Sequence, residues 1–242
     1  MEITDQIALV TGGNRGIGRE FVLELLDRGV AKVYAAVRRP ETVDFDDARV
    51  VPLRLDLLDP DSIAAAARTA SDVTLLVNNA GISTGASLIT GELDEVRREM
   101  DTHYWGTLQV IRAFAPVLGS NGGGAIVNVL SALAWFATSS TGAYGAAKAA
   151  TWNMTNGVRQ ELAGQGTHVQ SVLFGVARTE LATDGYDGPM IDARDVPRAA
   201  LDGLASGEIE VVVDDTTAWV KQSLAGDRAA FYTEVTQALG VA

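Results

Sequence analysis

The sequence predicts an α/β fold: a single-domain, doubly wound parallel sheet of about seven strands with helices on both faces. Three observations carry this reading. Short runs rich in Val, Ile and Leu alternate along the chain with segments of helical period. Those runs are apolar throughout rather than alternately polar, as strands covered on both faces are. A glycine-rich stretch, Thr11-Gly12-Gly13-Asn14-Arg15-Gly16-Ile17-Gly18, joins the first run to the first helical segment. With 242 residues, and no linker, repeat or break in composition, the chain reads as one domain over 1–242.

The elements follow in order. Ile7-Ala8-Leu9-Val10 is the first strand. After the glycine turn, Ile17, Phe21, Val22, Leu25 and Leu26 share one helix face. Lys32–Val37 is the second strand and Val50–Arg54 the third. Asp59-Pro60 supplies a capping carboxylate and a proline at the first helical position, starting a helix that runs toward Ala70. Thr74–Asn78 is the fourth strand, and one long helical stretch covers Leu93 to Leu118. Gly122-Gly123-Gly124 is a loop before the fifth strand, Ala125–Leu130. A second long helix runs from Tyr144 to Leu162, ahead of the sixth strand, His168–Phe174. A helix follows Asp195-Val196-Pro197, and Ile209–Val213 is the last strand. The sequence after Val213 offers no further assigned element.

Composition excludes several function classes. A formal net charge of -12 disfavours nucleic acid and anionic membrane surfaces as partners. No apolar run is long enough to span a bilayer. The chain has no cysteine, hence no disulfide framework, thiolate metal site or thiol nucleophile, which fits a cytoplasmic location. The N-terminus enters the first strand without a basic start or long apolar core, so no secretory signal is evident. An anionic ligand must be held by local cations, which draws attention to Arg15, Arg38 and Arg39.

The strand, glycine turn and helix in that order build a dinucleotide-phosphate site. Glycines let the backbone approach the phosphates, and the helix N-terminus offers open N–H groups. The spacing, three residues between Gly12 and Gly16 and one between Gly16 and Gly18, departs from the usual dinucleotide fingerprint. Asn14, Arg15 and Ile17 complete the turn. Further along, the fourth strand ends in Val77-Asn78-Asn79-Ala80-Gly81, the fifth runs out to Ser131, and the next helix opens Tyr144-Gly145-Ala146-Ala147-Lys148. Residues four apart lie on one helix face, which sets the Lys148 ammonium near the Tyr144 phenol. A neighbouring cation is expected to lower the phenol's pKa and fit it for acid–base work. A serine hydroxyl on the adjacent strand can hydrogen-bond a substrate oxygen.

Taken together, these motifs resemble the short-chain dehydrogenase/reductase family in its short form, across essentially the whole chain from Thr11 to Thr179. The resemblance implies a Rossmann-type fold, a nicotinamide cofactor and catalysis by Ser131, Tyr144 and Lys148, with Lys148 also bonding the nicotinamide ribose. By position it places Gly12, Gly16 and Gly18 on the pyrophosphate, Asp56 at the adenine (or as a simple turn aspartate), and Asn79, Ala80 and Gly81 at the adenosine ribose and sheet centre. Gly175, Val176 and Thr179 fall at the nicotinamide carboxamide. An acid at the end of the second strand would select NAD; Val37 stands there, followed by Arg38 and Arg39, so NADPH/NADP+ is the expected cofactor. No metal is expected.

Two departures stand out. His103 replaces an asparagine that in the family supports a water chain from the lysine, and either joins that chain or substitutes structurally. Phe174-Gly175 replaces Pro-Gly in the nicotinamide loop. Around Ser131 and Tyr144 lie Ala132, Leu133, Trp135, Phe136 and Ala137, joined by Leu181, Tyr186, Pro189 and Met190, which read either as plain core or as an apolar lining that fits a hydrophobic or aromatic ketone or aldehyde. The two long helices suit a homodimer or homotetramer. The expected activity is NADPH-dependent carbonyl reduction, reversible as alcohol oxidation. Its rivals are an NAD-dependent dehydrogenase, a nucleotide-sugar epimerase or dehydratase, which would need a larger C-terminal region, and a degraded cofactor-sensing protein.

Overall fold

In the computed structural model, which describes residues 1–139, 141–180, 186 and 188–239, the β-branched runs form one parallel sheet. Its strands are β1 (Ile7–Thr11), β2 (Lys32–Val37), β3 (Val50–Arg54), β4 (Leu75–Asn78), β5 (Ala125–Val129), β6 (His168–Leu173) and β9 (Glu210–Val212), in the order β3-β2-β1-β4-β5-β6-β9. All seven strands were anticipated, with boundaries within a residue or two.

Successive strand residues point to opposite faces, and both faces are apolar, so two cores form. Ala8, Val10, Leu75 and Val77 pack with Phe21 and Leu25 of α1 (Gly16–Asp27) and with Leu201 and Leu204 of α6 (Asp195–Ser206). Leu9 and Leu76 pack on the other face with Ile63 of α2 (Pro60–Thr69), Ile111 and Phe114 of α4 (Thr107–Ser120) and Val158 of α5 (Gly142–Leu162). Asp59 caps α2 as its sequence promises, accepting from the Asp61 and Ser62 N–H groups at 3.1 Å each.

The winding reverses between β1 and β4, where a crevice opens at the strands' carboxyl ends. Asn79 closes the floor of this crevice. Its side-chain amide donates to the Thr11 carbonyl at 3.0 Å, and its backbone N–H donates to Thr11 Oγ1 at 2.9 Å.

Three features correct the sequence reading. The single helix expected over Leu93–Leu118 is α3 (Leu93–Met100), a π-helical segment (Asp101–Gly106) and then α4. Gly106 is packed so tightly in that segment that a Cβ there would lie 2.8 Å from Leu57 Cβ. Beyond β6 the chain makes a two-stranded ribbon, β7 (Val176–Ala177) with β8 (Met190–Ile191). After β9 come α7 (Asp215–Ser223) and α8 (Arg228–Leu239), and their apolar sides bury Val220, Phe231 and Val235 against Phe136.

Candidate active site

One cleft of about 680 Å³ runs along the carboxyl edge of the sheet and gathers most of the predicted residues. Gly12, Asn14, Arg15, Gly16, Ile17, Arg38, Arg39 and Asp56 line one end, Asn79, Ala80 and Gly81 the middle, and His103, Ser131, Leu133, Tyr144, Lys148, Gly175, Val176, Thr179 and Tyr186 the other.

The glycine turn can seat a dinucleotide. Gly12 and Gly16 hold φ values of +70° and +52°, a region that favours glycine. The N-terminus of α1 carries no side-chain cap, so its first N–H groups stay open toward the cleft. Gly18 behaves differently from expectation: it backs the turn instead of lining it. A Cβ there would sit 2.1 Å from the Gly12 carbonyl oxygen, so this glycine lets helix and turn meet. Thr179 stands over the turn, its side chain 3.7 Å from where a Gly16 Cβ would be.

At the second-strand end, Val37 is buried and Arg38 and Arg39 are exposed. Arg15 pairs with Glu180 at 3.3 Å, with both side chains largely in solvent, so the pair is weak and easily broken. Asp56 Oδ1 accepts from the Leu58 N–H at 3.1 Å, making it a turn former that also faces the cleft.

At the opposite end, the chain running on from β5 delivers Ser131 and the first two turns of α5 deliver Tyr144 and Lys148. Ser131 Oγ accepts from the Leu133 N–H at 3.2 Å, which fixes its direction. Lys148 is buried and donates to the Val129 carbonyl at 3.0 Å. Burial pulls the ammonium down to about 8, against the opposing pull of Glu99. The expected lowering of Tyr144 is not found: burial, and then the negative charge of Glu99, raise its phenol above the ordinary value, while a hydrogen bond with Ser131 only partly offsets them. Removing the phenolate from water costs more than this arrangement returns.

His103 sits beneath Tyr144, its ring edge-on at 5.2 Å between centroids. Its Nε2 hydrogen-bonds the Ile82 carbonyl at 2.9 Å, and Gly81 makes room for it, since a Cβ there would lie 2.5 Å from the ring. Burial and then the Lys148 charge push the imidazole below its usual range. Beside it lies Glu99, fully buried, which the sequence reading missed; a glutamate among the charges of α3 looks like a solvated residue.

Of the predicted substrate residues, Ala132, Trp135, Phe136, Ala137, Pro189 and Met190 fall outside the cleft lining. Trp135 lies outside the cleft lining, because the turn over Ala132–Ala134 carries it toward α5 and α7. There it packs edge-on against Trp152 at 6.3 Å, with Lys221 Nζ 6.0 Å from its ring centroid. Phe136 packs against Phe231, at 5.9 Å between centroids. Leu181 lies outside the described residues.

The chain is similar to known proteins. A Burkholderia cenocepacia short chain dehydrogenase, solved in complex with NADP, is 41% identical, superposes with a TM-score of 0.92 and covers 97% of this chain and 98% of its own. A Burkholderia phymatum short chain dehydrogenase/reductase, solved with NAD, shares the fold at 22% identity and a TM-score of 0.81, over 91% of this chain and 93% of its own. An uncharacterised oxidoreductase of Staphylococcus aureus is 30% identical over 213 residues, spanning 84% of this chain and 92% of the relative. The short chain dehydrogenase family itself matches residues 6–188. The chain belongs to the short-chain dehydrogenase/reductase family, an oxidoreductase on a Rossmann-type domain.

Proposed function

We propose that this protein is an NADPH-dependent carbonyl reductase, reversible as an alcohol dehydrogenase, acting on a small hydrophobic ketone or aldehyde. The observation that carries the reading is the cleft itself: Ser131, Tyr144 and Lys148 at one end, and at the other two exposed arginines following Val37, which stands where an acid would favour NAD. The NADP held by the Burkholderia cenocepacia relative supports the same choice.

The open N–H groups of α1 and the Gly12–Gly16 backbone would hold the pyrophosphate, Arg38 with Arg39 and Arg15 the 2′-phosphate, and Lys148 the nicotinamide ribose. When bound, the nicotinamide supplies the hydride for reduction. Ser131 donates to the substrate oxygen and stabilises developing negative charge. Tyr144, kept protonated by its burial, delivers the proton to that oxygen. The Lys148 ammonium stabilises the phenolate left behind. Leu133 and Tyr186 offer the apolar wall for the substrate.

Exposed Leu88, Ile89, Leu93 and Trp105 near α3 support a homo-oligomer. Among the described residues no helix is long and apolar enough to cross a membrane. Consumption of NADPH, and separately of NADH, across a panel of ketones and aldehydes tests the reading. Turnover with NADPH is expected; cofactor binding without turnover on any carbonyl would favour a cofactor-sensing protein.

A further inference from the structure

Glu99 presents a physical problem. Its side chain is fully buried, yet it is a carboxylate on a helix whose other charged residues face solvent. Oε1 accepts from the Thr84 N–H at 2.6 Å. Among the described residues Oε2 makes no hydrogen bond, and it lies 3.2 Å from Nε2 of His103, whose imidazole burial holds below its usual range. A buried carboxylate with one oxygen unsatisfied is costly, and persists where something offsets it.

Among the described residues, the titratable groups that act on it or feel its charge include His103, one turn on in its own helical stretch, and Lys148 and Tyr144 of α5; the 82–84 loop adds the Thr84 backbone N–H and the Thr84 side chain. Lys148 is itself a buried cation, and its hydrogen bond among the described residues goes to a neutral carbonyl. The negative charge of Glu99 opposes the loss of the Lys148 proton that burial favours.

We propose that Glu99 is a positioning residue of the active site: its buried carboxylate orients the His103 imidazole and supplies the counter-charge to the Lys148 ammonium, and so sets the charge balance under which Tyr144 handles its proton. His103, in the π-helical segment, lies under the Tyr144 ring, and Glu99, at the ordinary helical i, i+4 spacing before it, stands against the same imidazole. The inference rests on the reductase reading for its kinetic consequence, but not for the charge balance itself.

The signs follow from charge: a carboxylate favours a neighbouring cation and disfavours a neighbouring anion. Glu99 holds the proton on Lys148 and disfavours the Tyr144 phenolate. Without its charge both groups lose their protons at lower pH, and each loss lowers the rate of reduction.

The test compares wild type, Glu99→Gln and Glu99→Asp. In Glu99→Gln the alkaline limb of kcat/KM for carbonyl reduction is expected to move down by about one pH unit, the effect of one nearby charge. Glu99→Asp keeps the charge and should leave the limb near its wild-type position while lowering kcat. A second readout needs no turnover: ultraviolet titration of the phenolate band, taken as the difference from the matching Tyr144→Phe protein, should show Tyr144 ionising at lower pH in Glu99→Gln. A rate loss in Glu99→Gln that is uniform across pH, with the phenol titration unmoved, would overturn the proposal and leave Glu99 a packing residue. In wild type, carboxyl carbon NMR must show Glu99 ionised at pH 7; a protonated Glu99 overturns the idea even if neither variant folds. If wild type reduces no carbonyl compound, the functional reading fails while the phenol titration still decides the role of Glu99.

Discussion

The Lys148 ammonium stands 5.5 Å from the centroid of the Tyr144 ring, and its hydrogen bond goes to the Val129 carbonyl at 3.0 Å. The helical i, i+4 spacing brings the two side chains together, but burial governs both. The phenol is raised and the ammonium is lowered to about 8.

This sets the pH profile. With Tyr144 held protonated, reduction should be flat through neutral pH and fall as Lys148 loses its proton near pH 8. Alcohol oxidation needs the phenolate and should rise with pH. Tyr144→Phe should keep cofactor affinity and lose turnover by ~100- to 10,000-fold, the contribution of general acid catalysis. Steady-state kinetics beside a cofactor titration checks it; a phenylalanine variant retaining most of its rate would sink the mechanism.

Lys148 should also cost stability. Its ordinary value is 10.5 and its folded value about 8, so across that window the unfolded chain carries more protons and stability rises with pH. Below pH 8 the full cost applies, at most about 3.5 kcal/mol at ~1.4 kcal/mol per pH unit. Lys148→Met should therefore be inactive but melt higher than wild type at pH 7. The gain falls short of that ceiling because Glu99 then loses its partner charge, and it should shrink as pH rises beyond 8. Calorimetry at pH 7 and 9 decides; a methionine variant less stable at both values contradicts the argument.

The close approach of helix and turn at Gly18 gives a third test. A methyl group there meets the Gly12 carbonyl oxygen at 2.1 Å and Asn79 Nδ2 at 2.5 Å, neither of which can yield without moving backbone or breaking the bond to Thr11. Gly18→Ala should lower stability by about 1–3 kcal/mol and weaken cofactor binding. Gly164→Ala, with nothing within 4 Å, is the control and should change neither. Equal melting temperatures for the two variants would remove the packing role.

The fold was legible because parallel strands must be apolar on both faces, so Ile7–Val10 or Ala125–Val129 can hardly be read otherwise. That Ser131, Tyr144 and Lys148 meet in one cleft was legible because they lie at element ends whose order the strand pattern shows. What escaped depends on depth and direction, which spacing does not encode. Glu99 sits among Asp94, Glu95, Arg97 and Arg98 and differs from them only in burial. The π-helical segment adds a residue to one turn without any glycine or proline signal at its start. Trp135 is as apolar as Leu133, but the tight turn over Ala132–Ala134 sends it to the other side of the strand end. The helices α7 and α8 have weak periodicity and are held by tertiary contacts such as Phe136 with Phe231.

Coenzyme choice turns on charge at the second-strand end. The 2′-phosphate of NADPH is an anion, and a protein of net charge -12 must hold it by local cations. Arg38 and Arg39 are exposed at the cleft mouth, and Arg15 is tied only by a solvent-exposed pair to Glu180. Charge-assisted hydrogen bonds of this kind contribute ~1.5–3 kcal/mol each. With tenfold per 1.4 kcal/mol, NADPH should exceed NADH by roughly 10- to 1,000-fold in kcat/KM. Because the arginines are exposed, added salt should erode the preference. Arg38→Ala alone should shrink it by weakening NADPH and leaving NADH nearly unchanged. Val37→Asp with Arg38→Ala should invert it, since the carboxylate repels the phosphate and accepts the ribose hydroxyls of NADH. Val37 is buried, so the melting temperature of the double variant must be measured alongside to separate selectivity from lost stability. Wild type equally efficient with NADH would remove Arg38 from this role and restore the NAD-dependent reading.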